Sequence, residues 1–357
     1  MPLTLVLNNA NAVNQKVIWS NAQPGSTRHC RVINFEFTKE SKETITKKVN
    51  QINDKITFLQ PTTIETDSVK IKINHSLYLT MIDGKVAQAL TDTPSSASCV
   101  ICQATSSEMN NLQKLSFKTV NEEHYKYGLS SLHAWIRFME CILHIAYRLE
   151  FRRWSVRSVE DKLKVKETTR RIQKEFREKS GLLVDYPKQG SGSSNDGNTA
   201  RRFFRDPELT AEITKVDLKL IERFGIILQT LSCGIKVDAK KFDDYTKETA
   251  KLYMQLYDWY YMPSSVHKIL FHGSEIIQHF LLIPIGILSE EAQESRNKDI
   301  KHYREFNTRK CSRISTNTDL LHKLLISSDP YISSLRCQPK YQKHVIDSPA
   351  KDLLDYS

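Results

Sequence analysis

The chain has 357 residues, 39% of them hydrophobic and 26% charged, enough to bury a large core and to divide into two or three subdomains. Lysine and arginine number 52 against 41 aspartate and glutamate, a net charge of +11, which favours a polyanionic partner, nucleic acid before membrane. No run approaches the roughly 18 uninterrupted apolar residues of a membrane span. Met1 leads into PLTLVLNN without the basic n-region of a signal peptide, so neither membrane insertion nor secretion is expected.

In chain order, residues 3–7 (LTLVL), 17–19 (VIW) and 31–37 (RVINFEF) read as short strands separated by Asn, Pro, Gly and Ser clusters. Residues 39–58 place Ile45, Val49, Ile52 and Ile56 at helical spacing. VKIKI (69–73) and SLYLTMI (76–82) read as strands, the second delivering Asp83-Gly84 at its end. A carboxylate there suits a divalent-ion site of the nuclease type, and an Asp-Gly turn explains it equally. Residues 128–150 form the clearest helix, with Leu132, Trp135, Ile136, Met139, Leu143, Ala146 and Leu149 on one stripe. His133, Cys141 and His144 lie inside it without a metal spacing, as core or boundary residues.

Arg148 to Lys179 carries 12 basic and 6 acidic residues around Trp154, Val156, Leu163 and Phe176. It reads as a solvated helix laced with i, i+4 pairs or as a phosphate-tracking arm. The flexible run from Pro187 to Asn198 hands over to Thr199-Ala200-Arg201-Arg202-Phe203-Phe204. That is a surface loop or a backbone-and-guanidinium phosphate cradle, and no G-K-[ST] follows to make it a Walker A loop. Residues 208–262 are helical with a turn at Cys233-Gly234. Their late aromatics Tyr253, Tyr257, Trp259, Tyr260 and Tyr261 either pack a core or stack bases. Glu290, Glu291 and Glu294 open a helix after a Ser289 cap. The segment Arg296–Arg313 then holds seven Lys or Arg against Asp299 and Glu305, and the tail from 338 reads as loosely ordered.

The seven cysteines fall at 30, 99, 102, 141, 233, 311 and 337, an odd, scattered set that points to a reducing compartment and to metal ligation rather than disulfides. Cys99-Val100-Ile101-Cys102 is a C-x2-C knuckle, half of a structural zinc site. His267 and His272 supply H-x4-H, and the two half-sites make a closed set of two cysteines and two histidines with 164 residues between them. Residues five apart on a regular helix diverge by about 140°. Gly273 therefore reads as a helix stop that lets His272 swing off the helical path.

The ordered set MIDGKV, CVICQAT, SSLHAWIRFMECILH, GNTARRFF, VHKILFHG and PIGILSEEAQESRNK resembles the Transib transposases. More distantly it is similar to the catalytic subunit of the V(D)J recombination-activating recombinase. The resemblance runs from about residue 3 to 336. It implies an α/β fold, mostly α by content: an incomplete ribonuclease-H-like domain interrupted by a large, mainly helical zinc-stapled insertion. Residues 1–95 would be the partial sheet region, 96–273 the insertion, 274–336 the C-terminal helices and 337–357 the tail.

The same resemblance implies structural zinc on Cys99, Cys102, His267 and His272, and DNA contacts by Asn198, Arg201, Arg202 and Trp259. Catalytic Mg²⁺ or Mn²⁺ would sit on Asp83 and Glu294. It also implies a DNA partner, a homodimer as a possible assembly, and a nuclear location. One feature departs from the family: its first catalytic Asp has no counterpart, since only Asp54 and Asp67 precede Asp83. The expectation is a transposase truncated at its front, lacking the end-gripping DNA-binding region and inactive alone. The alternative is a non-catalytic, zinc-stabilised module that binds DNA or protein.

Overall fold

The structure, a computed structural model, describes residues 5–7, 16–19, 25–36, 38–39, 41–77, 80–188, 192–280, 283–288, 290–335 and 346–356. Among them the strands are β1 (Leu5–Leu7), β2 (Lys16–Trp19), β3 (Thr62–Glu65) and β4 (Lys70–Ile73). The helices begin with α1 (Lys42–Thr57), α2 (Gly84–Leu90), α3 (Leu112–Ser116), α4 (Ser131–Ala146) and α5 (Val159–Ser180). They continue with α6 (Gly197–Arg205), α7 (Pro207–Thr214), α8 (Leu218–Ser232), α9 (Ala239–Leu256) and α10 (Ser264–His279). The last are α11 (Glu291–Phe306), α12 (Arg313–Ser327), α13 (Pro330–Ser334) and α14 (Ser348–Lys351). The protein is mostly helical, and it divides into one unit of residues 1–81 with 287–344 and another of 82–286 with 345–357.

In the first unit the strands pair only as antiparallel partners, β1 with β2 and β3 with β4. Helix α1 starts where Ser41 accepts the Thr44 N–H at 3.2 Å, a cap worth about 1 kcal/mol. Its stripe of Ile45, Val49, Ile52 and Ile56 follows the expected spacing, yet α1 buries no residue. Helices α11 and α12 meet around the buried Arg296, whose guanidinium donates to Asp299, to Ser327 Oγ at 2.8 Å and to the Thr27 carbonyl. Residues 31–36 form no strand: Glu36 pairs with Lys48 instead.

The second unit carries the apolar core. Helix α4 buries Trp135, Met139, Leu143 and Ala146 of its expected stripe, leaves Leu132 and Ile136 half-buried, and buries Phe138 and Ile142 as well. Phe138 meets Phe224 of α8 edge-on at 4.6 Å, and Trp135 Nε1 donates to Ser232 Oγ at 2.8 Å. Helices α9 and α10 pack closely enough that a Cβ on Gly273 would lie 2.9 Å from Phe242 Cε1. Gly273 is therefore a contact glycine inside α10 and not the expected helix stop, since the helix runs on to His279. Tyr253, Tyr257 and Tyr260 are buried in the core, as is Cys141, while Trp259 and Tyr261 are half-buried.

The expected loose tail is also corrected in part. Residues 338–345 lie outside the described residues, but Leu353 and Leu354 are buried, and Leu354 bridges to Val237.

Candidate metal centre

The first half-site is a tight turn. The Cys99 N–H donates to the Ala104 carbonyl and the Gln103 N–H to the Cys99 carbonyl, both at 2.9 Å. Gln103 takes a left-handed φ of 56° to close it. The Ile101 N–H points at Cys99 Sγ, 3.4 Å away. The turn is braced from outside: the Asn121 N–H donates to the Ile101 carbonyl at 3.0 Å, and His124 Nδ1 donates to the Val100 carbonyl at 2.6 Å. Both sulfurs are buried.

The second half-site is α10 itself. His267 and His272 stand on one continuous helix, and their rings approach to 5.4 Å between centroids at 75°. The angular divergence of residues five apart is real, and the reach of the two imidazole arms closes it without breaking the helix. Phe271 stacks on His267 at 4.8 Å. Cys102 Sγ lies 3.4 Å from His267 Nε2. One ligand atom from each of Cys99, Cys102, His267 and His272 falls within 4.8 Å of all the others, and all four residues are buried.

This donor set fits a metal ion such as zinc. Tetrahedral Zn²⁺ with S at about 2.3 Å and N at about 2.0 Å holds its ligands roughly 3.3–3.8 Å apart. His272 Nε2 is buried with no hydrogen-bond partner, and an orphaned polar atom in a core is costly unless something completes it. The hydrogen bond from Cys102, with help from the backbone N–H groups, pulls the Cys99 thiol down to about 7. The shared bond and burial push Cys102 up. Burial lowers His267, which favours the neutral ligand form. A bound ion would hold both cysteines as thiolates.

Lys268 was not singled out by the sequence. Its ammonium donates to the Gly128 carbonyl at 2.6 Å, and burial pulls its pKa down to about 8. Its position next to His267 was the available signal.

The other expected site residues are placed as follows. Asp83 does not end a strand: residues 74–77 and 80–82 are irregular, with 78–79 outside the described residues. It is instead the N-cap of α2, accepting the Lys85 N–H at 2.5 Å. The apolar run from Ser76 lacks a pairing partner among the described residues, and a strand without a ladder does not form. Glu294 is exposed in the first turn of α11, whose N-cap position is Glu290; Ser289 lies outside the described residues. Asp83 belongs to the second unit and Glu294 to the first.

Asn198 is exposed near the start of α6, which Asp196 caps by accepting the Thr199 N–H at 2.9 Å. Arg201 lies 5.7 Å over the Trp135 ring, and Arg202 donates to the Ser180 carbonyl at 2.7 Å. Trp259 is half-buried, edge-on to Tyr257 and Tyr260. A comparison of the chain with protein-family models and with curated proteins returns no match.

Proposed function

We propose that the chain is a transposon-derived DNA-binding protein of the Transib recombinase type, stapled by structural zinc and without strand-cleaving activity on its own. The observation that carries this reading is the convergence of Cys99, Cys102, His267 and His272 from half-sites with 164 residues between them. A long-range Cys₂His₂ staple is rarer than a local finger, and it occurs here with GNTARRFF between the half-sites and the QESRNK segment after them.

The DNA contacts proposed are Asn198, Arg201, Arg202 and Trp259, with the basic stretches supplying phosphate contacts. The proposed setting is the nucleus, the proposed assembly a homodimer, and the finer fold an incomplete ribonuclease-H-like domain. Asp83 and Glu294 are the carboxylates that the resemblance assigns to Mg²⁺ or Mn²⁺. In-line displacement needs two clamped ions, and two carboxylates hold one such ion weakly. The N-cap role of Asp83 favours the alternative within this reading, a binding module with no catalysis at all.

The test is DNA binding across salt concentrations, with cleavage of the same DNA in Mg²⁺ or Mn²⁺. Binding is expected to fall steeply with salt, and the double variant Arg201→Ala with Arg202→Ala is expected to flatten the slope by about 2. An affinity indifferent to salt would remove the DNA reading. Divalent-dependent nicking that disappears in Glu294→Gln would instead show an active recombinase.

A further inference from the structure

Helix α4 ends at Ala146 and α5 begins at Val159, where Ser158 accepts the Asp161 N–H at 3.0 Å. The connection between them turns through Arg152, at a left-handed φ of 48°. Together with the turn after α9 it borders a half-open cleft of about 360 Å³ lined by Arg148, Trp154, Ser155, Lys162 and Tyr260, with two valines. That is the low end of small-molecule sites, which span roughly 300–1,000 Å³.

The lining is chemically one-sided. It has two cations, two aromatic rings and a hydroxyl, and no carboxylate. The side chain of Arg148 donates to the His144 carbonyl at 3.0 Å and makes no ion pair among the described residues. Lys162 is exposed and has no ion pair among the described residues. Trp154 is anchored against Tyr260 at 4.7 Å and Tyr261 at 5.1 Å and still keeps 40% of its surface exposed. An exposed indole held in place beside two cations without ion pairs among the described residues matches a ligand with a flat π-face and an attached negative charge.

We propose that this cleft takes one unpaired nucleotide of a DNA strand, the base stacked on Trp154 and a phosphate held between Arg148 and Lys162. This rests on the DNA-binding reading and adds strand selectivity to it. Bases of a duplex are already stacked and paired, so only an unpaired nucleotide can enter. Stacking on an aromatic side chain tolerates every base, which makes the site indifferent to sequence.

The experiment measures binding of a fluorescent oligothymidylate and of a blunt duplex of equal length to the full chain. Trp154→Ala is expected to weaken the oligothymidylate about tenfold and to leave the duplex unchanged, with Trp154→Phe keeping most of the affinity. Lys162→Ala alters an exposed side chain and is expected to lower the salt slope for the oligothymidylate by about 1. Zinc content, measured on every variant, reports the fold.

Wild-type protein that binds duplex, with an oligothymidylate affinity untouched by both substitutions, would overturn this site alone. Wild-type protein that binds neither DNA would overturn the DNA reading with it. Thymidine monophosphate bound as tightly as the oligonucleotide would overturn the strand assignment, and a phosphotyrosine peptide bound more tightly than the oligonucleotide would overturn the nucleotide.

Discussion

Helices α1 and α10 are both 16 residues long and both amphipathic in sequence, and they end up in opposite surroundings. Helix α10 buries Val266, His267, Ile269, Leu270 and His272 before Gly273, Gly273 itself, and Ser274, Ile276 and Ile277 after it. Helix α1 buries nothing, and Ile52 stays 41% exposed. Periodicity sets which face of a helix is apolar, but it does not supply what covers that face. Helix α10 has α9 pressed against Gly273 and a cysteine turn brought to its histidines. Helix α1 has its Ser41 cap and its local hydrogen bonds.

The largest effect that could break this contrast is removal of the metal. Protein purified without chelator is expected to carry one zinc per chain. Stripping it, or substituting Cys102→Ser, should lower the thermal transition sharply, because binding free energy at such a site is folding free energy. Hydrogen exchange is expected to show α10 amides losing protection while α1 amides stay as they were. Metal analysis that finds no zinc would leave α10 held by packing alone.

Packing supplies the next step down. Leu270 is fully buried, and Leu270→Ala is expected to cost about 2–5 kcal/mol in urea unfolding. A cost under about 1 kcal/mol would mean that the α10 core relaxes as freely as a surface.

Gly273→Ala is a finer probe. The new methyl would meet Phe242 at 2.9 Å, an overpacking worth about 1–3 kcal/mol, offset by up to about 1 kcal/mol of helix propensity. Net stabilisation would show that α9 and α10 stand further apart than described.

The smallest effect is expected on α1, where Ile52→Ala should move stability by no more than about 0.5 kcal/mol. A loss as large as that of Leu270→Ala would reveal a cover over the α1 stripe.

How much of this was legible depends on how local the cause is. The α4 stripe and the α1 stripe were readable because 3.6-residue periodicity is a local property. So was the metal ligand set, because cysteines three apart and histidines five apart are rare enough to stand out. Gly273 was misread, since a glycine that ends a helix and one that admits a neighbouring ring look alike until the neighbour, Phe242, is known.

The strands fared worse. SLYLTMI and RVINFEF have strand composition, but a strand needs a partner, and pairing is decided far away in sequence. Strand β3, exposed along its whole length, offers no apolar alternation and was missed for that reason. Arg201 and Arg202 read as part of a surface loop or a phosphate cradle, and Trp135 and Ser180, 66 and 22 positions earlier, engage them.

The span between the cysteine turn and its histidines also sets a schedule for synthesis. With 164 residues between Cys102 and His267, a ribosome adding 5–20 residues per second exposes the thiols roughly 8–30 s before the first imidazole is made. During that interval two closely spaced cysteines stand without the partners that would lock an ion, open to oxidation or to capture by a competing soft metal. If the site is to load zinc, the nascent chain would need reducing, zinc-buffered surroundings at a stage when none of α10 yet exists.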